Sequence, residues 1–313
     1  DQIHRVSDTP QTVPAADRVG FAVTVMVFTD LTLSIADAVI KSTLAQMPLS
    51  QFVFLRSCIT IPLLMLILKW RFPHLAFRPA RPGWAFLRSA MLLVSLLLYY
   101  ASLTRLDLSI AAAVYYTIPL FITLFSAVLL RDAVSAKAWA AVALGFAGVL
   151  LMLRPRPGDL NLHALLPLAS AILYALAMVV TRTRARTENP FVLALIFNLL
   201  AILLGGSATL YSLGTDATVT GVFTGPWLVL DGWQWLLLLG LSGAMLIGSV
   251  GTAIAYQSGP PAVVSTSDFS YLAFAVLWGM ILFSERPDPL SFLGIAFIAV
   301  AGVIVIRDRT ART

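Results

Sequence analysis

The stretch RDAVSAKAWAAVALGFAGV, residues 131–149, decides the reading of this chain, because its outline returns as ERPDPLSFLGIAFIAVAGV at residues 285–303. Ala147-Gly148-Val149 lies on Ala301-Gly302-Val303, and the same offset lays the polar break Arg131-Asp132 on Glu285-Arg286. Each copy is a charged turn followed by a run rich in small residues, and each is preceded by a long apolar run. A helix needs roughly 20 apolar residues to cross the hydrocarbon layer. Runs that meet this length are expected at 19–41, 49–69, 83–103, 108–130, 136–153, 161–181, 190–213, 232–257, 262–284 and 289–306. Five crossings in each half is an odd number, so the second half must lie upside down relative to the first.

The expected fold is therefore an all-α membrane protein of ten transmembrane helices, built as two inverted five-helix repeats. Residues 1–18 form an N-terminal tail, 19–155 the first repeat, 156–307 the second, and 308–313 a C-terminal tail. Hydrophobic residues make up 59% of the chain and charged residues 12%, about half the charge of an ordinary soluble domain. The net charge of +6 forms no single stripe, which argues against nucleic-acid binding. Basic residues concentrate instead in alternate connections. With both termini in the cytoplasm, fifteen fall on the inner side and five on the outer; the second loop, an inner one, is assigned Lys69, Arg71, Arg78, Arg81 and Arg88. This bias predicts an N-in, C-in multi-pass protein of a bacterial-type inner membrane. The single Cys58 excludes a disulfide framework within one chain. Residues 1–18 lack the apolar core of a secretory signal, so no cleaved leader is expected. The chain opens on Asp1, and the natural reading frame is expected to begin upstream.

Polar side chains inside the spans carry the functional expectation. Asp30, Ser34, Asp37 and Lys41 recur at intervals of four, three and four and share one face of the first span. An ionised Asp near the bilayer centre is costly, so this face should meet a cavity or a partner. Lys41 and Arg56 have two open uses, a clamp with Asp37 or contact with substrate. In the ninth span Asp268, Tyr271 and Trp278 share a face; they suit a cationic group held by charge and ring, or a protonatable site, or plain aromatic packing. Tyr99, Tyr100, Tyr115, Tyr116, Tyr174 and Tyr256 add rings with hydroxyl ends, while Asn198 and Gln257 add amides. Pro119 should kink the fourth span and serve as a hinge. Gly240, Ala244, Gly248 and Thr252, with Ala141 and Gly145, read as close-packing seams.

Enzymatic readings find little support. Gly240-Leu241-Ser242-Gly243 matches the short string of intramembrane serine proteases, yet His4, His74 and His163 sit in terminal or loop-edge positions and none follows Ser242. No metal-binding His pair or phosphate-cradling loop is visible, so no catalytic residue, metal or cofactor is expected.

With Lys41 closing the first span, Phe54-Leu55-Arg56 in the second, Tyr115-Tyr116-Thr117-Ile118-Pro119-Leu120 in the fourth and the Ser284-Glu285-Arg286-Pro287 turn, the chain resembles the EamA-repeat branch of the drug/metabolite transporter superfamily. The likeness covers roughly residues 19–307. Within that branch it is similar in overall character to aromatic amino acid exporters. One departure is Arg131-Asp132, where the family often has Gly-Glu. The resemblance implies export or exchange of amino acids and related small metabolites without ATP, by alternating access. Asp30, Asp37, Lys41, Arg56, Tyr99, Tyr115, Tyr116, Tyr256, Asp268, Tyr271 and Trp278 are the expected substrate or pathway residues. The partners are a small molecule and the lipid bilayer, with no nucleic acid; oligomeric state is open. Carriers of nucleotide sugars or phosphorylated metabolites form the alternative, which calls for more interior basic residues than Lys41 and Arg56. A scaffold or sensor that transports nothing is the alternative of another class.

Overall fold

The computed structural model describes residues 18–43, 47–71, 79–102, 114–131, 134–153, 163, 165–214, 225–283 and 289–310. Among these residues there are helices and no strands. In lipid each backbone N–H must find its acceptor inside the segment, and the helix is the local structure that provides it. The helices are α1 (Val19–Thr43), α2 (Leu49–Arg71), α3 (Pro82–Ser102), α4 (Ile118–Leu129), α5 (Ala136–Leu153), α6 (Leu165–Thr183), α7 (Pro190–Gly214), α8 (Gly232–Ser258), α9 (Pro261–Ser267), α10 (Ser270–Phe283) and α11 (Pro289–Thr310). Among the described residues seven segments are long and apolar enough to cross a membrane, with α9 and α10 counted as one, and three shorter apolar helices bring the total to ten.

Packing between the halves follows a simple rule. The most closely packed pairs are α5 with α11, α2 with α7, α3 with α6, and α1 with α8. In span order these are the fifth with the tenth, second with seventh, third with sixth, and first with eighth. Exchanging each span for the one five places along maps the first two pairs onto themselves and swaps the last two. The lesser pairs obey the same exchange: α4 against α6 corresponds to α9 and α10 against α1. The bundle is thus two interlocked halves with paired environments.

Two helix ends have clear local causes. Asp231 accepts from the backbone N of Gln234 at 2.7 Å while the Gln234 side chain accepts from the Asp231 backbone at 3.0 Å, a reciprocal cap that starts α8. At the end of α4, Arg131 takes a positive φ of 54°, the left-handed conformation that closes helices and suits glycine best. Asp132 lies outside the described residues, as does the Ser284-Glu285-Arg286-Pro287 turn.

The small-residue seams are used unevenly. A Cβ at Gly148 would stand 2.6 Å from the Gly294 carbonyl oxygen, whereas one at Gly302 would meet nothing within 4 Å. Of the two glycines in the repeated Ala-Gly-Val, only Gly148 therefore makes a close helix contact, while Ala301 of the second copy is buried beside Ala141 and Val263. Gly145 lies against the Phe269 ring, and Gly248 against Leu33. Gly240 meets nothing within 4 Å and drops out of the expected α8 seam, because it faces away from the bundle. Gly251 takes its place, packed directly on the Thr29 side chain.

Candidate functional site

Two spans are interrupted, and they occupy corresponding places in the two halves. In the fourth span residues 114–115 are helical, 116–117 form a turn, and α4 follows. In the ninth, α9 and α10 are separated at Asp268-Phe269. The offset that lays Ala147 on Ala301 lays Asp268-Phe269 on Val114-Tyr115, two residues ahead of the fourth-span turn. At both breaks the backbone tightens: Thr117 N bonds Val114 O at 3.2 Å, and Asp268 N bonds Ser265 O at 3.2 Å, each spanning three residues instead of four. Pro119 is not an interior kink. It sits at the first turn of α4 behind Thr117, where a missing N–H costs nothing. Paired interruptions of this sort leave backbone and side chains turned toward a central site in membrane carriers.

Around these breaks the rings of five tyrosines form a chain. Tyr99 and Tyr115 lie 4.4 Å apart, Tyr115 and Tyr116 6.1 Å, Tyr116 and Tyr271 5.9 Å, and Tyr115 and Tyr174 6.4 Å between centroids. Tyr100 joins at 5.9 Å from Tyr99. Their helices are α3, α6, α10 and the fourth span, so the cluster joins both halves.

The polar stripe of α1 faces α10. Ser270 Oγ donates to Asp30 Oδ2 at 2.7 Å, Trp278 Nε1 donates to Ser34 Oγ at 3.0 Å, and the Tyr271 hydroxyl donates to Asp37. Spacing in the first span had marked this face, and the ninth span supplies its partners. Tyr256 donates to Asp268 Oδ2 at 2.7 Å, while Asp268 Oδ1 is buried with no partner. Asp30 and Asp268 lie within electrostatic reach of each other. The side chain of Lys41 lies outside the described residues. Asp37 is held by Tyr271, and a clamp between Asp37 and Arg56 is not formed.

Arg56 is 4% exposed, and its Nε and one terminal nitrogen have no hydrogen-bond partner. Its guanidinium lies 5.9 Å from the Phe197 ring, a cation–π contact, and it interacts electrostatically with Tyr100. Ser242, the residue of the protease-like string, donates to Leu238 O at 2.7 Å and to Arg56 O at 3.3 Å. It is a helix-packing hydroxyl. Asn198 bonds back to Ala194 O within its own helix.

Arg88 is a correction to the charge count. Sequence reading places it in an inner loop; the structure buries it at 1% exposure in α3, with Nε donating to Thr181 Oγ1 at 2.7 Å. A signal was present, since Arg88, Ser95 and Ser102 recur every seven residues, two helical turns. Ser95 meets Ser170 on the same α3–α6 seam.

A second polar network closes one end of the bundle. Glu188 accepts from the backbone N of Ala80 at 2.9 Å and of Arg81 at 2.6 Å, ahead of α3. Gln257 Nε2 donates to Ala185 O and Glu188 O, while Arg182 and Arg186 donate to Gln257 O. Gln257 thus belongs to this closure and not to the tyrosine cluster. Among the described residues no group of three His, Cys, Asp or Glu side chains converges as a metal site.

Comparison with known proteins agrees with the architecture. Residues 20–154 match the model of the EamA-like transporter family. The pseudopaline exporter of Pseudomonas aeruginosa is 25% identical over 90% of this chain and 95% of its own length. The riboflavin transporter of Rhizobium johnstonii is 29% identical over 68% of this chain and 67% of its own. A solved structure superposes with a TM-score of 0.74 at 18% identity, covering 94% of this chain and 99% of that one, which shows a shared fold. With ten apolar helices among the described residues and a region at residues 20–154 that resembles the EamA-like transporter family, the chain is a multi-pass membrane protein similar to these transporters.

Proposed function

We propose that this protein exports or exchanges amino acids, aromatic ones included, and related small metabolites by alternating access across a bacterial-type inner membrane, with both termini in the cytoplasm. The observation that carries the reading is Asp268 Oδ1, a buried carboxylate oxygen with no partner, set at the ninth-span break and bonded to Tyr256, with Tyr174 in electrostatic reach. A substrate ammonium group would complete it. The tyrosine faces accept a planar side chain, and Arg56, in electrostatic reach of Tyr100, suits a carboxylate. Riboflavin, the named cargo of one relative, also carries a planar ring system. The bonds from Tyr271 and Ser270 to the acids of α1 fasten the first and ninth spans across the halves; exchanging them for substrate contacts would let the halves rock. The closure around Glu188 and Gln257 gives one end of the pathway its seal.

Purified protein reconstituted into liposomes and loaded with labelled Trp, Phe, Thr or a nucleotide sugar tests the proposal. Expected is counterflow of Trp or Phe without ATP. Counterflow confined to the nucleotide sugar would replace the substrate class, and no flux of any probe would remove the carrier reading. Repeating the assay with an imposed pH gradient tells proton-coupled exchange from facilitated exchange.

A further inference from the structure

We infer that Arg88 is an anion-binding site in the half of the bundle nearer Arg81 and Glu188, taking a carboxylate or phosphate group of the transported molecule. This rests on the carrier reading and narrows it, since it requires cargo with an oxyanion that is handled at a second guanidinium besides Arg56.

A guanidinium out of water costs several kcal/mol unless it is paired, so buried arginines ordinarily have an acid beside them. Arg88 has none among the described residues. Its Nε is fixed on Thr181 Oγ1 at 2.7 Å, and both terminal nitrogens are buried without a partner. Thr181 spends its own proton on Ala177 O at 2.8 Å, so its oxygen is left as an acceptor and orients the guanidinium. That is a built geometry: one edge of the fork is held, and the two terminal N–H₂ groups remain for a bidentate oxyanion. Lysine, a point charge, would not reproduce it. Tyr174 interacts electrostatically with Arg88 and also with Tyr115 and Asp268, which links this position to the tyrosine cluster. The seam formed by Arg88 with Thr181 and Ser95 with Ser170 runs along the α3–α6 contact toward that cluster. Arg56, in electrostatic reach of Tyr100, and Arg88, in reach of Tyr174, are thus two buried guanidiniums beside the ring cluster.

Binding can be measured without transport. The full chain in detergent micelles is titrated with sodium phosphate or sodium succinate, against sodium chloride of equal ionic strength, while its thermal midpoint is followed by tryptophan fluorescence. Expected is a saturable rise with at least one oxyanion, weakened at least tenfold in R88Q and at least threefold in R88K and T181V. T181V keeps the charge and carries the test should R88Q fail to fold. A wild-type midpoint that ignores both oxyanions, or one that T181V and R88K follow unchanged, overturns the inference. Oxyanion binding through Arg88 with no flux in liposomes sinks the carrier reading alone; Trp counterflow without oxyanion binding sinks the Arg88 site alone.

Discussion

Tyr271 shows how much one hydroxyl decides. It donates to Asp37 while its ring lies 5.9 Å from Tyr116, so Tyr271→Phe removes the bond and keeps the ring. A hydrogen bond to a charged group contributes about 1.5–3 kcal/mol, and about 1.4 kcal/mol is a factor of ten. Counterflow in liposomes should therefore fall at least tenfold in Tyr271→Phe, with folding yield unchanged. Asp37→Asn and Asp268→Asn should each lower it at least as far; full rates in both would take the acids out of the site. Arg131 carries a different prediction. Its left-handed backbone costs a non-glycine residue about 1–2 kcal/mol, so Arg131→Gly should raise the thermal midpoint while transport stays at the native rate. The residue pattern made the α1 stripe legible, because 3.6-residue periodicity aligns Asp30, Ser34 and Asp37 before any partner is known. Arg88 was misplaced because a basic residue near a span end has the same composition signal whether it lies in a loop or inside.

Among the elements, α5 and α11 make the closest contact in the bundle, and Gly148 is its tightest point. A methyl there would press on the Gly294 backbone oxygen at 2.6 Å, and overpacking of this kind costs about 1–3 kcal/mol. Gly148→Ala should lower the thermal midpoint in detergent by several degrees. Gly302→Ala, the corresponding position of the second half with open space beside it, should stay within about 0.5 kcal/mol of wild type. Equal effects at the two positions would show that the halves pack more alike than described. The spans themselves were legible because twenty apolar residues have one use. Span 136–153 coincides with α5, and 232–257 falls one residue short of α8. The ninth-span break was not legible: Asp268-Phe269 contains neither Pro nor Gly, and the interruption comes from side chains committed to neighbouring helices. Gly240 failed as a seam residue for a related reason, since spacing gives a face and not its direction.

At the scale of the whole molecule, the basic-residue bias and odd span count per half predict which end faces which compartment. In a Cys58→Ala background, Thr187→Cys, exposed beside the Glu188 closure, should react with an impermeant maleimide only after cells are permeabilised. Val229→Cys, 90% exposed in the connection before α8, should react in intact cells. The reverse pattern would invert the proposed orientation. Interlocking of the halves, with the third span on the sixth and the first on the eighth, could not be read from sequence, because helix neighbours in lipid are chosen by shape and not by hydropathy. The short helix α9 has a consequence for how the protein is made. All seven of its residues are buried, a helix that short has little stability of its own, and its span is the least apolar of the seven long candidates. When the ribosome delivers residues 261–283, the translocon meets a segment it has small reason to release sideways into lipid. Earlier crossings must already be assembled to receive it, so the least apolar of the long spans is drawn into the membrane by its sibling helices.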